Sequence, residues 1–93
     1  MKKLQVLDFW APWCGPCKTL SPIIDSLMEK FTDNNLVDIQ KINVDEHPEE
    51  AQKYDIRSIP TLLFIQGGVV KHRVSGVLPK EKINSKIEEI LAA

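Results

Sequence analysis

Two cysteines three positions apart, Cys14 and Cys17, are the residues best suited to chemistry in this 93-residue sequence. A pair at that spacing can close a disulfide, supply half of a zinc site or attach a c-type haem. The haem motif needs His at position 18, where this chain has Lys18. Zinc needs two more ligands, and His47 and His72 lie much farther apart than the ligands of a zinc motif. Two inert structural thiols are the remaining alternative. A disulfide closing a four-residue loop gains about 2 kcal/mol from chain entropy, against about 4.7 for a hundred-residue loop. Such a bond is better placed to cycle than to staple.

The flanking pattern says what must hold the cysteines. Leu4 to Phe9 reads as a strand, apolar on both faces except at Gln5 and Asp8, as in a central strand covered on both sides. From Gly15 to Phe31, Leu20, Ile23, Ile24, Leu27, Met28 and Phe31 recur at helical spacing, with Pro22 predicting a kink. Asp33-Asn34-Asn35 is a turn signal, and Val37 to Val44 a second strand. Pro48, Glu49 and Glu50 suit the first turn of a short helix ending near Tyr54. Thr61–Ile65 and Val69–Val74 flank Gln66-Gly67-Gly68, a hairpin signal. Pro79 opens a last helix whose buried stripe is Ile83, Ile87, Ile90 and Leu91. The order is β-α-β-α-β-β-α, an α/β fold with a four-stranded mixed sheet and helices on both faces. Residues 1–93 form a single domain in this reading.

Cys14 then stands where a buried strand gives way to a helix. As N-cap it would face backbone N–H groups without intrahelical partners and the positive end of the helix dipole. Both favour a thiolate, the nucleophilic form of cysteine. Pro16 costs little there, because its missing N–H would be unpaired anyway. Cys17, one turn on, is expected to be the more shielded sulfur and to resolve a mixed disulfide.

Composition excludes several classes. The chain is 43% hydrophobic and 27% charged, with a net charge of −1, which argues against disorder and offers no basic excess for nucleic acid. The apolar run after Met1-Lys2-Lys3 is too short for a signal peptide, and no stretch could cross a membrane. The expectation is a cytoplasmic protein, where a lone close cysteine pair reads as redox-active or metal-binding.

Several segments carry a resemblance. Trp10-Ala11-Pro12-Trp13-Cys14-Gly15-Pro16-Cys17-Lys18 resembles the active-site signature of the thioredoxin family, with Pro12 as a variation. Tyr54-Asp55-Ile56-Arg57-Ser58-Ile59-Pro60-Thr61 is similar to the family's second signature. Leu7-Asp8-Phe9, Lys41-Ile42-Asn43-Val44-Asp45 and Ser75-Gly76-Val77 match other family segments in order and spacing. The resemblance covers nearly the whole chain, but the family usually has a further strand and helix before Leu7-Asp8-Phe9. Val37–Val44 is therefore expected at an exposed sheet edge, with Asp38, Gln40 and Lys41 discouraging edge pairing.

The resemblance implies a protein-disulfide reductase with Cys14 as nucleophile, Cys17 as resolving thiol and no bound cofactor. It implies that Asp8 is a buried carboxylate exchanging a proton with Cys17, and that Lys41 reaches toward it. It makes Ile59–Pro60 a cis bond, where sequence alone would favour trans. Trp13, Gly15, Pro16, Ile59, Pro60, Gly76 and Val77 would form a shallow apolar surface for disulfide-containing proteins. Trp10 is read as packing, and no role falls to His47 or His72. The implied electron donor is a flavin-containing, NADPH-linked thioredoxin reductase, acting on a monomer. A glutaredoxin-like, glutathione-dependent reductase and a thioredoxin-fold assembly subunit are the alternatives.

Overall fold

The computed structural model describes residues 3–93; Met1 and Lys2, part of the segment weighed above as a leader, lie outside the described residues. Strand β1 (Leu4–Trp10) leads into helix α1 (Gly15–Lys30), then strand β2 (Val37–Asn43) and helix α2 (Pro48–Lys53). Strands β3 (Thr61–Gln66) and β4 (Val69–Ser75) follow, and helix α3 (Lys80–Ala92) ends the order. The described strands make one sheet in the order β2-β1-β3-β4. β1 pairs parallel with β2 and antiparallel with β3, which pairs antiparallel with β4. The mixed sheet is the one expected, with β2 on its edge.

The two central strands explain the apolar runs. Alternate side chains of a strand point to opposite faces. Leu4 and Val6 of β1 join Leu62 and Phe64 of β3 on one face, where Leu20, Ile24 and Leu27 of α1 and Ile83 and Ile87 of α3 cover them. Leu7, Phe9, Leu63 and Ile65 point to the other face, where Tyr54 at the end of α2 packs with Ile42, Val44, Ile56 and Ile59. A strand with both faces covered has no place for alternating polar residues. Asp8, on the same face as Leu4 and Val6, is therefore an exception that needs a reason.

Turns and helix ends follow local chemistry. Gly67 and Gly68 take φ of 61° and 77°, the positive values that a tight two-residue hairpin turn requires. A register irregularity between Phe64 and Ile65 interrupts the hairpin, which the alternation in the sequence does not reveal. Pro48 is the first residue of α2 and Pro79 the N-cap of α3. Helix α1 runs through Pro22, which faces solvent. Met28, one of the helically spaced apolar residues, is exposed, because Leu20, Ile24 and Leu27 already fill the face toward the sheet.

Leu62 is fully buried on a central strand. Leu62→Ala is expected to lower unfolding free energy by about 2–5 kcal/mol, the usual cost of such a cavity. Urea titration at constant m checks this, and a loss under about 1 kcal/mol would contradict that packing.

Candidate active site

The turn from β1 into α1 is short. Cys14 N–H donates to the Ala11 carbonyl at 3.1 Å, so the chain reverses over Ala11-Pro12-Trp13 and delivers Cys14 as the N-cap of α1. Cys14 has extended backbone angles (φ −88°, ψ 112°), and its Sγ accepts a hydrogen bond from Cys17 N–H at 3.2 Å. That is the helix-capping geometry expected, with sulfur in the role usually taken by an oxygen. Pro16 lies in the first turn and no acidic side chain does, so nothing there offsets the positive helix end. The sulfurs are joined as a Cys14–Cys17 disulfide, with Cα atoms 5.3 Å apart.

Burial does not separate the two cysteines. Cys14 is 5% exposed and Cys17 4%, whereas Cys14 was expected to be the open one. Both pack with Ala11 against Trp10, Val44 and Ile59, which shields the whole disulfide rather than its second half. What differs is direction. Cys14 Sγ lies 3.8 Å from the Ile59 carbonyl oxygen. Cys17 instead lines a cavity of about 160 Å³ together with Asp8, Trp10, Ala11, Pro12, Lys18, Ser21 and Lys41.

On the Ile59 side, the Ile59–Pro60 peptide bond is cis. The Pro60 carbonyl accepts from Gly76 N–H at 2.9 Å, and Thr61 Oγ1 donates to the Ser58 carbonyl at 2.6 Å. The first bond ties the segment before β3 to the segment after β4, and the second closes the turn into β3. Gly76 adopts φ 93°, a region most side chains avoid. Gly15, Pro16 and Val77 are exposed, Ile59 and Gly76 are half-buried, and Pro60 is buried. Trp13 is 68% exposed, which rules out a core role. Its indole Nε1–H donates to Asp45 Oδ2 at 3.0 Å, fixing the ring beside the disulfide. Asp45 belongs to a segment noted for resemblance, but its partner is set by the turn after β2, which no local spacing announces.

On the cavity side, Asp8 is 3% exposed, and its Oδ1 has no hydrogen-bond partner. Burial pushes its pKa up to about 6; the Lys41 ammonium pulls the other way, and the Asp25 carboxylate adds to the rise. Asp8 and Lys41 are register partners across β1 and β2, yet they form no ion pair. Lys41 Nζ bonds instead to Asp25 Oδ1 at 2.5 Å and Ser21 Oγ at 2.8 Å, both on α1. The expected reach of Lys41 toward Asp8 is thus through space. Trp10 lines the cavity, and its Nε1 is likewise buried without a partner.

A cysteine pair at a helix N-terminus, a buried carboxylate and a facing proline loop together define a redox-disulfide site on an α/β scaffold. The chain belongs to the thioredoxin family, whose model (Thioredoxin) matches residues 1–89. It is 48% identical over 87 residues to "Thioredoxin" of Chlorobaculum thiosulfatiphilum, covering 94% of this chain and 79% of that one. It is 42% identical over 86 residues to "Thioredoxin" of Synechocystis sp., covering 92% and 78%. Identity to "Thioredoxin M-type, chloroplastic" of Pisum sativum is 45% over 86 residues, covering 92% of this chain and 49% of that relative. The chain thus spans about half the length of the plant relatives it matches and about four fifths of the bacterial ones. No helix among the described residues is long and apolar enough to cross a membrane.

The buried carboxylate has a thermodynamic signature. Asp8 holds its proton up to about pH 6 in the folded chain and releases it near 3.8 when unfolded. Between those values the folded state binds more protons, so stability falls as pH rises from about 4 through 6. The loss above pH 6 is at most about 3 kcal/mol. Asp8→Asn is expected to be more stable than wild type at pH 8, with the advantage gone near pH 3.5. Urea unfolding at both pH values reads this directly, and a pH-independent difference contradicts it.

Proposed function

We propose that this chain is a protein-disulfide reductase that cycles Cys14 and Cys17 between dithiol and disulfide. The observation that carries the reading is the opposite orientation of the two sulfurs. Cys14 faces the Ile59–Pro60 loop, and Cys17 faces the cavity that holds Asp8.

The first step is attack by the Cys14 thiolate on one sulfur of a substrate disulfide. The substrate S–S bond breaks, a Cys14–substrate disulfide forms, and the departing sulfur takes a proton from solvent. Asp8, as carboxylate, accepts the Cys17 proton. Cys17 sulfur then attacks Cys14 sulfur and releases the second substrate thiolate. Two electrons pass to the substrate, and the pair ends as the disulfide. A pKa near 6 leaves Asp8 mostly ionised at neutral pH, yet more basic than a free carboxylate, so it can take a proton and return it. Lys41 acts on Asp8 electrostatically. Trp13, Gly15, Pro16, Ile59, Pro60, Gly76 and Val77 form the docking surface, with the Ile59 backbone available to pair with an extended segment. Its shallow, mostly apolar character suits many disulfide-bearing proteins rather than one.

The whole of residues 1–93 acts as one domain and a monomer, in a reducing, cytoplasmic compartment, with its electrons from a flavin-containing, NADPH-linked thioredoxin reductase. The reductase relation rests on family membership and on the Gly15-Pro16 spacing between the cysteines.

Dithiothreitol-driven reduction of insulin tests the activity. Wild type should accelerate precipitation and Cys14→Ser should stay at the uncatalysed rate; equal rates would remove the proposal. A coupled assay tests the donor. Turnover is expected with NADPH and a thioredoxin reductase, and turnover with glutathione alone would favour the glutaredoxin-like reading.

A further inference from the structure

Helix α1 sends one line of side chains past the cavity. Cys17, Ser21 and Asp25 are four residues apart and share a face of the helix, running from the buried end to the surface. Beside them, β2 places Lys41 next to Asp8 in register. A lysine there has two carboxylates to choose from. Asp8 is buried with one oxygen unpartnered, and Asp25 has its side chain 62% exposed. Electrostatics in a poorly solvated cavity favour the buried partner, where attraction is screened least. The lysine goes the other way: Nζ is held by Asp25 Oδ1 and Ser21 Oγ, and Asp8 is left without a bond.

We propose that Asp25, with Ser21, is a positioning pair that holds the Lys41 ammonium at the mouth of the Asp8–Cys17 cavity and off the Asp8 carboxylate. The inference rests on the proton-exchange role of Asp8 proposed above. An ammonium bonded directly to Asp8 would lock it as a carboxylate and make it a poor proton acceptor. With Lys41 held at the rim, Asp8 keeps enough basicity to accept the Cys17 proton, and the nearby positive charge keeps it ionised beforehand. Other charges on this face are few. Lys18 lines the cavity from α1, β3 presents Leu62 opposite Asp8, and α3 contributes Ile83 and Ile87. Of these charges, Lys41 and Asp25 are the ones that act on the Asp8 carboxyl.

The test is a cycle of variants read by carbon-13 NMR titration of the Asp8 carboxyl. Asp25→Asn frees the lysine, and the Asp8 midpoint is expected to fall by about 0.5–1 pH unit. Asp25→Glu retains the carboxylate and should restore the wild-type midpoint. In a Lys41→Met background there is no ammonium to release, so Asp25→Asn should shift the midpoint much less. An equal shift in both backgrounds would mean that Asp25 acts only through its own charge, and no shift would mean that it does not position Lys41; either overturns the proposal. The release rate of a chromogenic thiol from a Cys14 mixed disulfide, measured against pH, reads the resolving step and should follow the Asp8 midpoint. If Asp8→Asn leaves that profile unchanged, the proton-exchange role of Asp8 fails, whereas the NMR cycle alone decides the role of Asp25.

Discussion

A carboxylate on a central strand, with one oxygen buried and unpartnered, is a cost that the rest of this structure accommodates. Asp8 takes a position where Leu4 and Val6 show what packing would prefer. An apolar residue there would make the sheet more stable. The expense has a location: Asp8 lies on the face of β1 that α1 covers, and α1 begins at the Cys14–Cys17 pair. The residue that weakens the core is thus the one that shares a cavity with the second sulfur. Departure from core logic at a site of chemistry is the pattern expected where function and packing compete.

The parallel pairing of β1 and β2 supports that arrangement twice. Near the middle of the pair, the register brings Lys41 beside Asp8. At its end, Val44 N–H bonds to the Trp10 carbonyl at 2.9 Å, and the turn that follows carries Asp45 to the indole of Trp13. One ladder therefore supplies the charge near the buried carboxylate and the anchor for the exposed aromatic ring. A slip of one residue would send Lys41 to the opposite face and lose the first of these. The antiparallel half plays the matching part on the other side of the disulfide. There the Pro60–Gly76 bond joins the start of β3 to the end of β4 and presents Ile59 to Cys14.

Much of this could be read from the chain, for reasons that differ by element. The central strands were legible because Leu4–Phe9, apart from Gln5 and Asp8, and Leu62–Ile65 are apolar on both faces. The hairpin was legible because Gly67 and Gly68 both take positive φ. Cys14 as N-cap followed from a strand pattern meeting a helix pattern. What stayed hidden depends on long-range geometry. Ser21 and Asp25 look like ordinary helix-surface residues until the lysine of β2 is seen to lie over them. Met28 has the helical spacing of a core residue, yet it falls outside the arc that the sheet can cover. The near-equal burial of Cys14 and Cys17 depends on Val44 and Ile59, which arrive from elements far along the chain.

That last point changes what distinguishes nucleophile from resolving thiol. Shielding from water is the usual basis for telling two such sulfurs apart, and here it gives no contrast. The difference lies in what each sulfur faces. Cys14 has the N-terminus of α1, which favours an anion, and the Ile59 backbone beside an exposed apolar rim. Cys17 has a carboxylate of raised basicity that lines the same small cavity. A thiol that faces a base but not the substrate is suited to act second. A sulfur that faces the proposed docking surface and a helix dipole, with no base of its own, must already be ionised to act first. The order of the two proposed steps rests on these surroundings rather than on burial, which is nearly the same for both residues.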